Sequence, residues 1–416
     1  MLDQAESPPA IYTHPYAGLV SGDIFSSEAD NPARGDQAVS AGQRSGLHQG
    51  VPHMVRIQPA LPERYVNASQ DQLAQWIAAA KADLGDRLLI LGHHYQRDEV
   101  MAFADARGDS FGLSRLAAAS TASYVVFCGV HFMAESADIL TGDHQQVVLP
   151  DLNAGCSMAD MADLDSVEEA WDDLAAVTDV ERIVPITYMN SSAALKAFVG
   201  DHGGAVCTSS NARAVLKWAL ERADKVLFFP DQHLGRNTAF QLGYAASDMG
   251  VWNPRLACGG LSERVVKETT FLLWKGHCSV HQRFTVAQVE EFRAAHPGGT
   301  VIVHPECSHE VVEQADIVGS TDFIIAAVDQ ASPGSVLAVA TEIHLVNRLA
   351  AEHPDLIVVS LDPVVCPCST MFRIDAAHLA WVLENLVEGR VVNQIKVDLE
   401  TSAGARVGLE RMLAIT

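Results

Sequence analysis

Positively charged side chains are scarce in this sequence. Lys and Arg contribute 28 of the 416 residues, whereas Asp and Glu contribute 52, so the formal net charge at pH 7 is −24. A protein with this charge is repelled by the phosphate groups of nucleic acids and by anionic lipid surfaces. The composition therefore argues against DNA, RNA or a membrane surface as a main partner.

Long apolar runs are also missing. No stretch approaches the roughly 18 apolar residues that a membrane-spanning helix requires. The first ten residues, MLDQAESPPA, have neither the basic region nor the apolar stretch of a signal peptide. With 48% hydrophobic and 19% charged residues, the chain can bury a core and is not expected to be globally disordered. We expect a cytoplasmic protein.

Cysteine is sparse and lacks the spacing of common metal sites. The eight cysteines include no C-x-x-C pair and no C-x₃-C-x₂-C run, so the signatures of zinc ribbons and ferredoxin-type clusters are missing. The motifs G-x-x-x-x-G-K-[ST] and G-x-G-x-x-G do not occur either, which removes support for common nucleotide-binding sites. A functional site must therefore follow from the positions of residues on the fold.

The apolar pattern divides the chain into an extension and three similar groups. Residues 1–67 are rich in Ala, Gly, Asp, Ser and Pro without a regular period, so we expect a poorly ordered extension. From residue 68, short apolar runs alternate with amphipathic helices, as in parallel α/β structure. Each group reads strand, helix, strand, helix, strand, and the third group has an added strand. We predict three pseudo-symmetric, three-layer α/β domains at residues 68–165, 166–275 and 276–375, and a C-terminal helical segment at 376–416 that packs back on them.

Polar side chains follow the predicted strands of all three groups. The first strands are followed by His93-His94-Tyr95, Tyr188-Met189-Asn190 and His304-Pro305-Glu306, and the second strands by Cys128-Gly129, Thr208-Ser209 and Ser320-Thr321. In parallel sheets, residues just past the carboxyl ends of strands line the ligand crevice. We expect the three domains to point these ends at one central site, although polar residues are also ordinary components of turns.

Three cysteines suit a metal centre at that site. Cys156, Cys278 and Cys368 each follow one of the three groups. Three thiolates around an approximate threefold axis could hold a cubane iron–sulfur cluster with one iron left free to act as a Lewis acid. The alternative is that they are buried structural cysteines. Cys366 competes with Cys368, since only one of the two is expected to reach the metal.

Between about residue 88 and residue 395 the chain contains the segments ILGHHYQRDEV, ARGDSFGLSRLA, FCGVHFMAESADIL, ITYMNSSAALKA, CTSSNA, PDQHLGRN, WKGHCSVHQRF, VIVHPEC, VGSTDFI, TEIHLVNRL and CPCSTM. Together these segments resemble the quinolinate synthase family, and most closely its longer bacterial form, which ends in C-P-C. The resemblance implies an enzyme of de novo NAD biosynthesis with one [4Fe–4S] cluster per chain. It also implies condensation of iminoaspartate with dihydroxyacetone phosphate to quinolinate, phosphate and water.

The resemblance also implies which residues form the site. The cluster ligands would be Cys156, Cys278 and Cys368, because the family's last motif has Met three residues after the ligand, as Cys368 and Met371 do. The implied substrate-binding residues are His93, Ser110, Tyr188, Met189, Asn190, Ser209, His304, Pro305, Glu306, Ser320 and Thr321. The implied catalytic residues are Glu306, Tyr95, His93 and His304.

Proton transfer is expected to centre on Glu306. Burial beside His304 should raise the pKa of this carboxyl group so that it serves as a general base, with Tyr95 and His93 moving further protons. The resemblance leaves open a transient contact with an aspartate oxidase that would supply iminoaspartate. Two other functions would use the same cysteines: an aconitase-like hydro-lyase, and a cluster-based sensor or scaffold without catalytic activity.

Overall fold

The computed structural model describes residues 58–364 and 367–415. Of the predicted N-terminal extension, residues 1–57 lie outside these described residues, and so does Cys366. Residues 58–67 differ from the expected poorly ordered segment, because they contain the short helix α1 (Glu63–Val66) with Tyr65 buried. The hydroxyl group of Tyr65 donates a hydrogen bond to Glu384, which ties this helix to the C-terminal part of the chain.

The first sheet contains four parallel strands and one short antiparallel strand. The elements in chain order are α2 (Gln70–Leu84), β1 (Leu88–His93), α3 (Asp98–Met101), β2 (Ala106–Gly108), α4 (Ser110–Ala119), β3 (Tyr124–Cys128), α5 (His131–Leu140), β4 (Gln146–Val148) and α6 (Leu164–Val177). The parallel strands lie in the order β4-β3-β1-β2. Leu91, in the centre of β1, pairs with Ala106 on one side and with Phe127 on the other. The central strands are almost fully buried because helices cover the sheet.

The second sheet contains five parallel strands. Its elements are β5 (Ile183–Tyr188), α7 (Ala193–Asp201), β6 (Ala205–Cys207), α8 (Ala212–Leu220), β7 (Lys225–Phe229), α9 (Gln232–Gln241), β8 (Met249–Trp252), α10 (Glu263–Glu268) and β9 (Phe271–Trp274). The strands lie in the order β6-β5-β7-β9-β8. Every residue of β5, β7 and β9 is buried, so this sheet forms a large part of the core.

The third sheet contains four parallel strands. Its elements are α11 (Val286–Ala295), β10 (Thr300–Val303), α12 (His309–Gln314), β11 (Ile317–Val318), α13 (Thr321–Asp329), β12 (Val336–Ala340), α14 (Ile343–Glu352) and β13 (Ile357–Ser360). The strands lie in the order β11-β10-β12-β13. The chain continues with α15 (Ala376–Val387), β14 (Gln394–Ile395) and α16 (Leu399–Ala414), of which β14 pairs antiparallel with β4 in the first sheet.

The three sheets share the order of their first three strands, in which the second strand is outermost and is followed by the first and the third. The fourth strand comes next in the first and third sheets, whereas in the second sheet β9 comes next and β8 lies outside it. The predicted α/β fold class is confirmed. The expected grouping of the first domain is wrong in one respect, since its second strand is β2 and not the run that contains Cys128. Strand β2 has only three residues, none of them buried, so no apolar run marks it. The residue equivalent to Ser209 and Ser320 is therefore Ser110, which follows β2. The boundaries of the predicted domains stay a prediction.

The two C-terminal helices pack on helices that flank the first and second sheets. Helix α15 packs on α2, and α16 packs on α7. The contact between α7 and α16 is close, because a Cβ atom on Gly200 would overlap the carbonyl oxygen of Gly404. Among residues 58–364 and 367–415, no helix combines the length and apolar character that crossing a membrane demands.

Candidate functional site

One cavity is lined by residues from the strand ends of all three sheets. The predicted site residues that line it are His93, Tyr95, Ser110, Cys156, Tyr188, Met189, Asn190, Ser209, Cys278, His304, Glu306, Thr321 and Cys368. They converge because the first strands of the three sheets end at this centre, and the loop after each strand turns its side chains into the cavity. Residues that are more than 200 positions apart in the sequence, such as His93 and Glu306, therefore share one site.

Two predicted substrate-binding residues are not among those that line the cavity. Ser320 is the N-cap of α13, and its hydroxyl oxygen accepts a hydrogen bond from the backbone N–H of Phe323 at 3.4 Å. Pro305 directs its carbonyl oxygen to the side-chain amide of Asn237, at 2.8 Å. Both residues support neighbouring elements of the site through these contacts.

The three predicted cysteine ligands share one local geometry. Each is followed at the third position by a short 3₁₀ turn, namely Ala159–Met161, His281–Arg283 and Met371–Arg373. The first residue of each turn donates its backbone N–H to the cysteine sulfur. Such hydrogen bonds to sulfur are a common feature of iron–sulfur ligation. This repeat places Cys156, Cys278 and Cys368 in equivalent positions. The spacing of three residues between the cysteine and the start of its turn holds for Cys368 and not for Cys366.

The electrostatics of the three thiols favour a bound cation. Burial raises the pKa of all three, that of Cys156 to about 12, and the charges of the other two cysteines raise the pKa of Cys278 further. Forming several thiolates in one buried cavity is therefore costly unless a metal neutralises them. All three are partly exposed because they face the cavity. The donor set fits a metal cluster held by three thiolates.

Glu306 is held by partners from two directions. Its Oε1 accepts a hydrogen bond from the hydroxyl group of Tyr188 at 2.6 Å, and its Oε2 lies 2.8 Å from Nδ1 of His281. The ligand atoms of Cys278, His281 and Glu306 all lie within 4.8 Å of one another, which is close enough for a single metal ion. However, His281 and Glu306 already bond each other, and a metal would have to replace that bond.

The hydrogen-bonded chain continues from His281 to the first sheet. Nε2 of His281 lies 3.2 Å from Oγ1 of Thr341, and that hydroxyl group lies 2.8 Å from the hydroxyl oxygen of Tyr95. Tyr95 also lies 3.0 Å from Oγ1 of Thr321. A continuous series of donors and acceptors thus connects Glu306 with Tyr95. Hydroxyl and imidazole groups in such a series can pass a proton along it.

The charge state of Glu306 differs from the expectation. Burial alone would raise its pKa, but the charge of His281 and the hydrogen bonds from His281 and Tyr188 outweigh burial and lower the pKa well below its ordinary value. The expected upward shift is therefore wrong, because His281 was not recognised as the partner of the carboxylate. The carboxylate is ionised at neutral pH.

His93 and His304 are neutral and have the same orientation. Burial lowers the pKa of each to about 3. Nδ1 of His93 accepts the backbone N–H of Tyr95 at 3.1 Å, and Nδ1 of His304 accepts that of Glu306 at 3.3 Å. The proton of each neutral ring is therefore on Nε2, which is available to donate a hydrogen bond.

Several cavity residues were not identified from the sequence. His281, Asp109, Phe111, Met133, Thr370 and Met371 line the cavity, and Thr341 lies behind it in the hydrogen-bonded chain. A signal existed for all of them, because each lies in a segment that carries the family resemblance, as His281 does in WKGHCSVHQRF and Thr341 in TEIHLVNRL. The resemblance alone did not assign these residues to the site.

Comparisons with known proteins agree with one another. The family model described as "Quinolinate synthetase A protein" (NadA) matches residues 75–414. A quinolinate synthase of Corynebacterium glutamicum is 55% identical over 375 residues, which cover 90% of this chain and 95% of that protein. A quinolinate synthase of Herpetosiphon aurantiacus is 57% identical over 356 residues, which cover 85% of this chain and 95% of that protein. A quinolinate synthase of Geobacillus thermodenitrificans is 54% identical over 361 residues, which cover 85% of this chain and 96% of that protein.

Proposed function

Because the chain belongs to the quinolinate synthetase A protein family, we propose that it condenses iminoaspartate with dihydroxyacetone phosphate to quinolinate, phosphate and water. The observation that carries this proposal is the meeting of three equivalent cysteines and an ionised carboxylate in one cavity. The reaction requires carbon–carbon and carbon–nitrogen bond formation, loss of phosphate and two dehydrations. It therefore needs groups that assist the loss of hydroxyl and groups that move protons.

A [4Fe–4S] cluster, one per chain, is the proposed cofactor, with Cys156, Cys278 and Cys368 as its ligands. Support comes from the equivalent local geometry of the three cysteines and from the raised pKa of their thiols. When bound by three thiolates, such a cluster supplies a Lewis acid that helps a hydroxyl group to leave.

Substrate binding must overcome the overall negative charge of the protein. Ser110 and Thr321 are the first residues of α4 and α13, where the positive end of the helix dipole and free backbone N–H groups favour anions. Asn190 and Ser209 add amide and hydroxyl groups to the cavity wall. We propose that these four residues bind the carboxylates of iminoaspartate and the phosphate group of the triose.

Proton transfer is proposed to involve Glu306, Tyr95 and the two neutral histidines. The ionised carboxylate of Glu306 can accept a proton from carbon or nitrogen of a substrate. Nε2–H of His93 and of His304 can donate to a substrate oxygen, and Tyr95 can exchange protons with Glu306 through His281 and Thr341. Glu306 is only 3% exposed and His304 only 2% exposed, so the cavity also limits hydrolysis of the imine by bulk water.

The test is an assay for quinolinate under anaerobic conditions with both substrates present. Quinolinate formation that requires both substrates would support the proposal. Dehydration of a hydroxy acid without triose phosphate would indicate the aconitase-like hydro-lyase instead. Iron binding without turnover of either kind would indicate a sensor or scaffold.

The proposal extends to the supply of iminoaspartate. This imine hydrolyses readily, so we propose a cytoplasmic enzyme that receives it from an aspartate oxidase by transient contact. The yield of quinolinate should then be higher when both enzymes are mixed than when a dialysis membrane separates them. Equal yields would contradict direct transfer while leaving the reaction itself unaffected.

A further inference from the structure

Three helices occupy equivalent positions in the three sheets. Helices α5, α9 and α14 each follow the third strand of their sheet, with N-caps at Val130, Asp231 and Glu342. The sixth residues after these N-caps are Ser136, Asn237 and Arg348. Each of these side chains contacts the loop that follows the first strand of another sheet. The contacts run in a cycle, from the first sheet to the second, from the second to the third, and from the third to the first.

Asn237 binds the carbonyl groups of the residues on both sides of Glu306. Its Nδ2 donates one hydrogen bond to the carbonyl oxygen of Pro305 at 2.8 Å and another to that of Cys307 at 2.9 Å. Its Oδ1 lies 3.0 Å from Nδ1 of His309. The side chain is only 1% exposed. Both amide hydrogens and the amide oxygen are therefore engaged by the segment that contains Glu306.

The ring of His309 is itself fixed. It stacks on Phe240, with a centroid distance of 3.8 Å and an angle of 10° between the rings. Since Phe240 and Asn237 both belong to α9, this helix holds the Glu306 segment through stacking as well as through hydrogen bonds.

Arg348 has the same relationship to Tyr95. Its Nη1 donates to the carbonyl oxygen of His94 at 2.9 Å, and its Nη2 donates to that of Gln96 at 2.8 Å. The guanidinium group also donates from Nε to Asp98 at 3.0 Å. The two carbonyl groups lie one residue before and one residue after Tyr95, as those bound by Asn237 lie around Glu306.

The loop of the second sheet is held by weaker contacts. Oγ of Ser136 lies 3.5 Å from the sulfur of Met189, and the carbonyl oxygen of Ser191 accepts a hydrogen bond from the buried Lys196. These contacts again lie on the two sides of one cavity residue, Asn190. Lys196 belongs to α7 of the same sheet. Within residues 58–364 and 367–415, no donor from another sheet binds both flanking carbonyls of this loop.

We infer that Asn237 and Arg348 are positioning residues, each of which fixes the direction of a reacting side chain from a neighbouring sheet. Binding the carbonyl groups of the residues before and after a side chain restrains the backbone between them and hence the direction of its Cα–Cβ bond. The inference rests on the proposed function for the reacting roles of Glu306 and Tyr95. Neither Asn237 nor Arg348 is among the residues that line the cavity, so they act through the residues that they hold.

The kinetic test uses the iron-containing enzyme with Asn237→Ala. We expect kcat to fall by about 10- to 100-fold, the effect of a small displacement of a reacting group, while KM stays within about twofold. Thr238→Val is the matched control, because Thr238 is also buried in α9 but its hydroxyl group donates to Leu234 of its own helix. Its kcat should not change. If Asn237→Ala does not fold, Asn237→Ser, which keeps a shorter donor, replaces it.

A second readout does not depend on activity. Hydrogen–deuterium exchange should increase in residues 304–308 of Asn237→Ala and stay unchanged in residues 93–97. Arg348→Lys, which loses the fork of donors, should show the reverse pattern. Faster exchange that is confined to residues 304–308 in Asn237→Ala and to residues 93–97 in Arg348→Lys, together with the loss of kcat, supports the inference. The inference is overturned if exchange becomes faster to the same extent in both segments of each variant, or if it does not become faster at all. It is also overturned if residues 304–308 exchange faster in Asn237→Ala while kcat stays unchanged. If the wild type forms no quinolinate, the proposed function fails, but the exchange pattern still tests the positioning contacts.

Discussion

The hydroxyl group of Tyr188 lies 2.6 Å from Oε1 of Glu306 and donates a hydrogen bond to it. Tyr188 ends the first strand of the second sheet, and Glu306 follows the first strand of the third. Because the carboxylate also binds His281, its two oxygens have different partners, and its position depends on two sheets at once. This explains why a buried carboxylate can remain ionised in a cavity that also contains three thiols.

Replacing Glu306 by Gln should remove turnover but preserve the cluster. Gln keeps the size of the side chain and can still accept a hydrogen bond from Tyr188, but it cannot take up a proton. We expect kcat to fall by roughly 10²- to 10⁴-fold, the usual contribution of a general base. The iron content and the visible absorbance should equal those of the wild type. An undiminished rate would remove Glu306 from the catalytic role.

Replacing Cys156, Cys278 or Cys368 by Ser should abolish the brown colour of the reconstituted protein. Each change removes one of three thiolates, and a serine hydroxyl is a much weaker ligand for iron. The measurement is iron per chain together with the absorbance spectrum under anaerobic conditions.

Cys258→Ser is the control for these three changes. Cys258 is partly exposed and is not among the residues that line the cavity, so its replacement should leave the iron content unchanged. A colourless Cys366→Ser protein beside a brown Cys368→Ser protein would show that the third ligand is assigned wrongly.

Replacing Thr341 by Val should interrupt the connection between His281 and Tyr95. Val has nearly the same shape as Thr, but it has no hydroxyl group to bridge the 2.8 Å and 3.2 Å contacts. We expect kcat to fall by roughly tenfold, which corresponds to one buried hydrogen bond of about 1.4 kcal/mol. Thr269→Val is the control, since the hydroxyl group of Thr269 bonds within its own segment to Val265. Equal rates for the two variants would contradict proton transfer along this path.

Acid should destabilise the protein through His93. Burial, together with the charges of His94 and Arg348, lowers the pKa of His93 to about 3. Between pH 6.5 and about 3 the unfolded chain therefore binds a proton that the folded chain does not, so stability falls as the pH falls through this range. At pH 5 the loss is about 2 kcal/mol, from 1.4 kcal/mol for each unit of pH below 6.5.

The measurement compares His93→Asn with the wild type in urea unfolding of iron-free protein at pH 7.5 and pH 5. Asn can keep an acceptor for the backbone N–H of Tyr95, so the variant should lose about 2 kcal/mol less than the wild type on acidification. The exposed His144 provides the control, and His144→Asn should not reduce the loss. A pH dependence that is identical in His93→Asn and the wild type would refute the prediction.

Much of the fold and of the cavity could be predicted from the sequence. The apolar runs of β1, β5 and β10 are long enough to read as buried strands, and each run leads to a polar residue. His93 and Tyr188 end β1 and β5, and His304 follows β10. Parallel sheets collect such residues at one edge, so the cavity lining followed from local pattern. The choice of Cys368 over Cys366 rests on the family resemblance, in which Met follows the cysteine after three residues as Met371 follows Cys368, and it stays a prediction.

What only the tertiary structure decided depends on contacts between residues that are far apart in the chain. Strand β2 exists because Ala106 pairs with Leu91, not because its own residues are apolar. The pKa of Glu306 depends on His281, which approaches it from a different segment and reverses the effect of burial. Asn237 and Arg348 reach the loops of other sheets, and nothing in their local sequence reports that contact. Local pattern determines which residues lie at the strand ends, whereas their charge and direction depend on partners that only folding brings near.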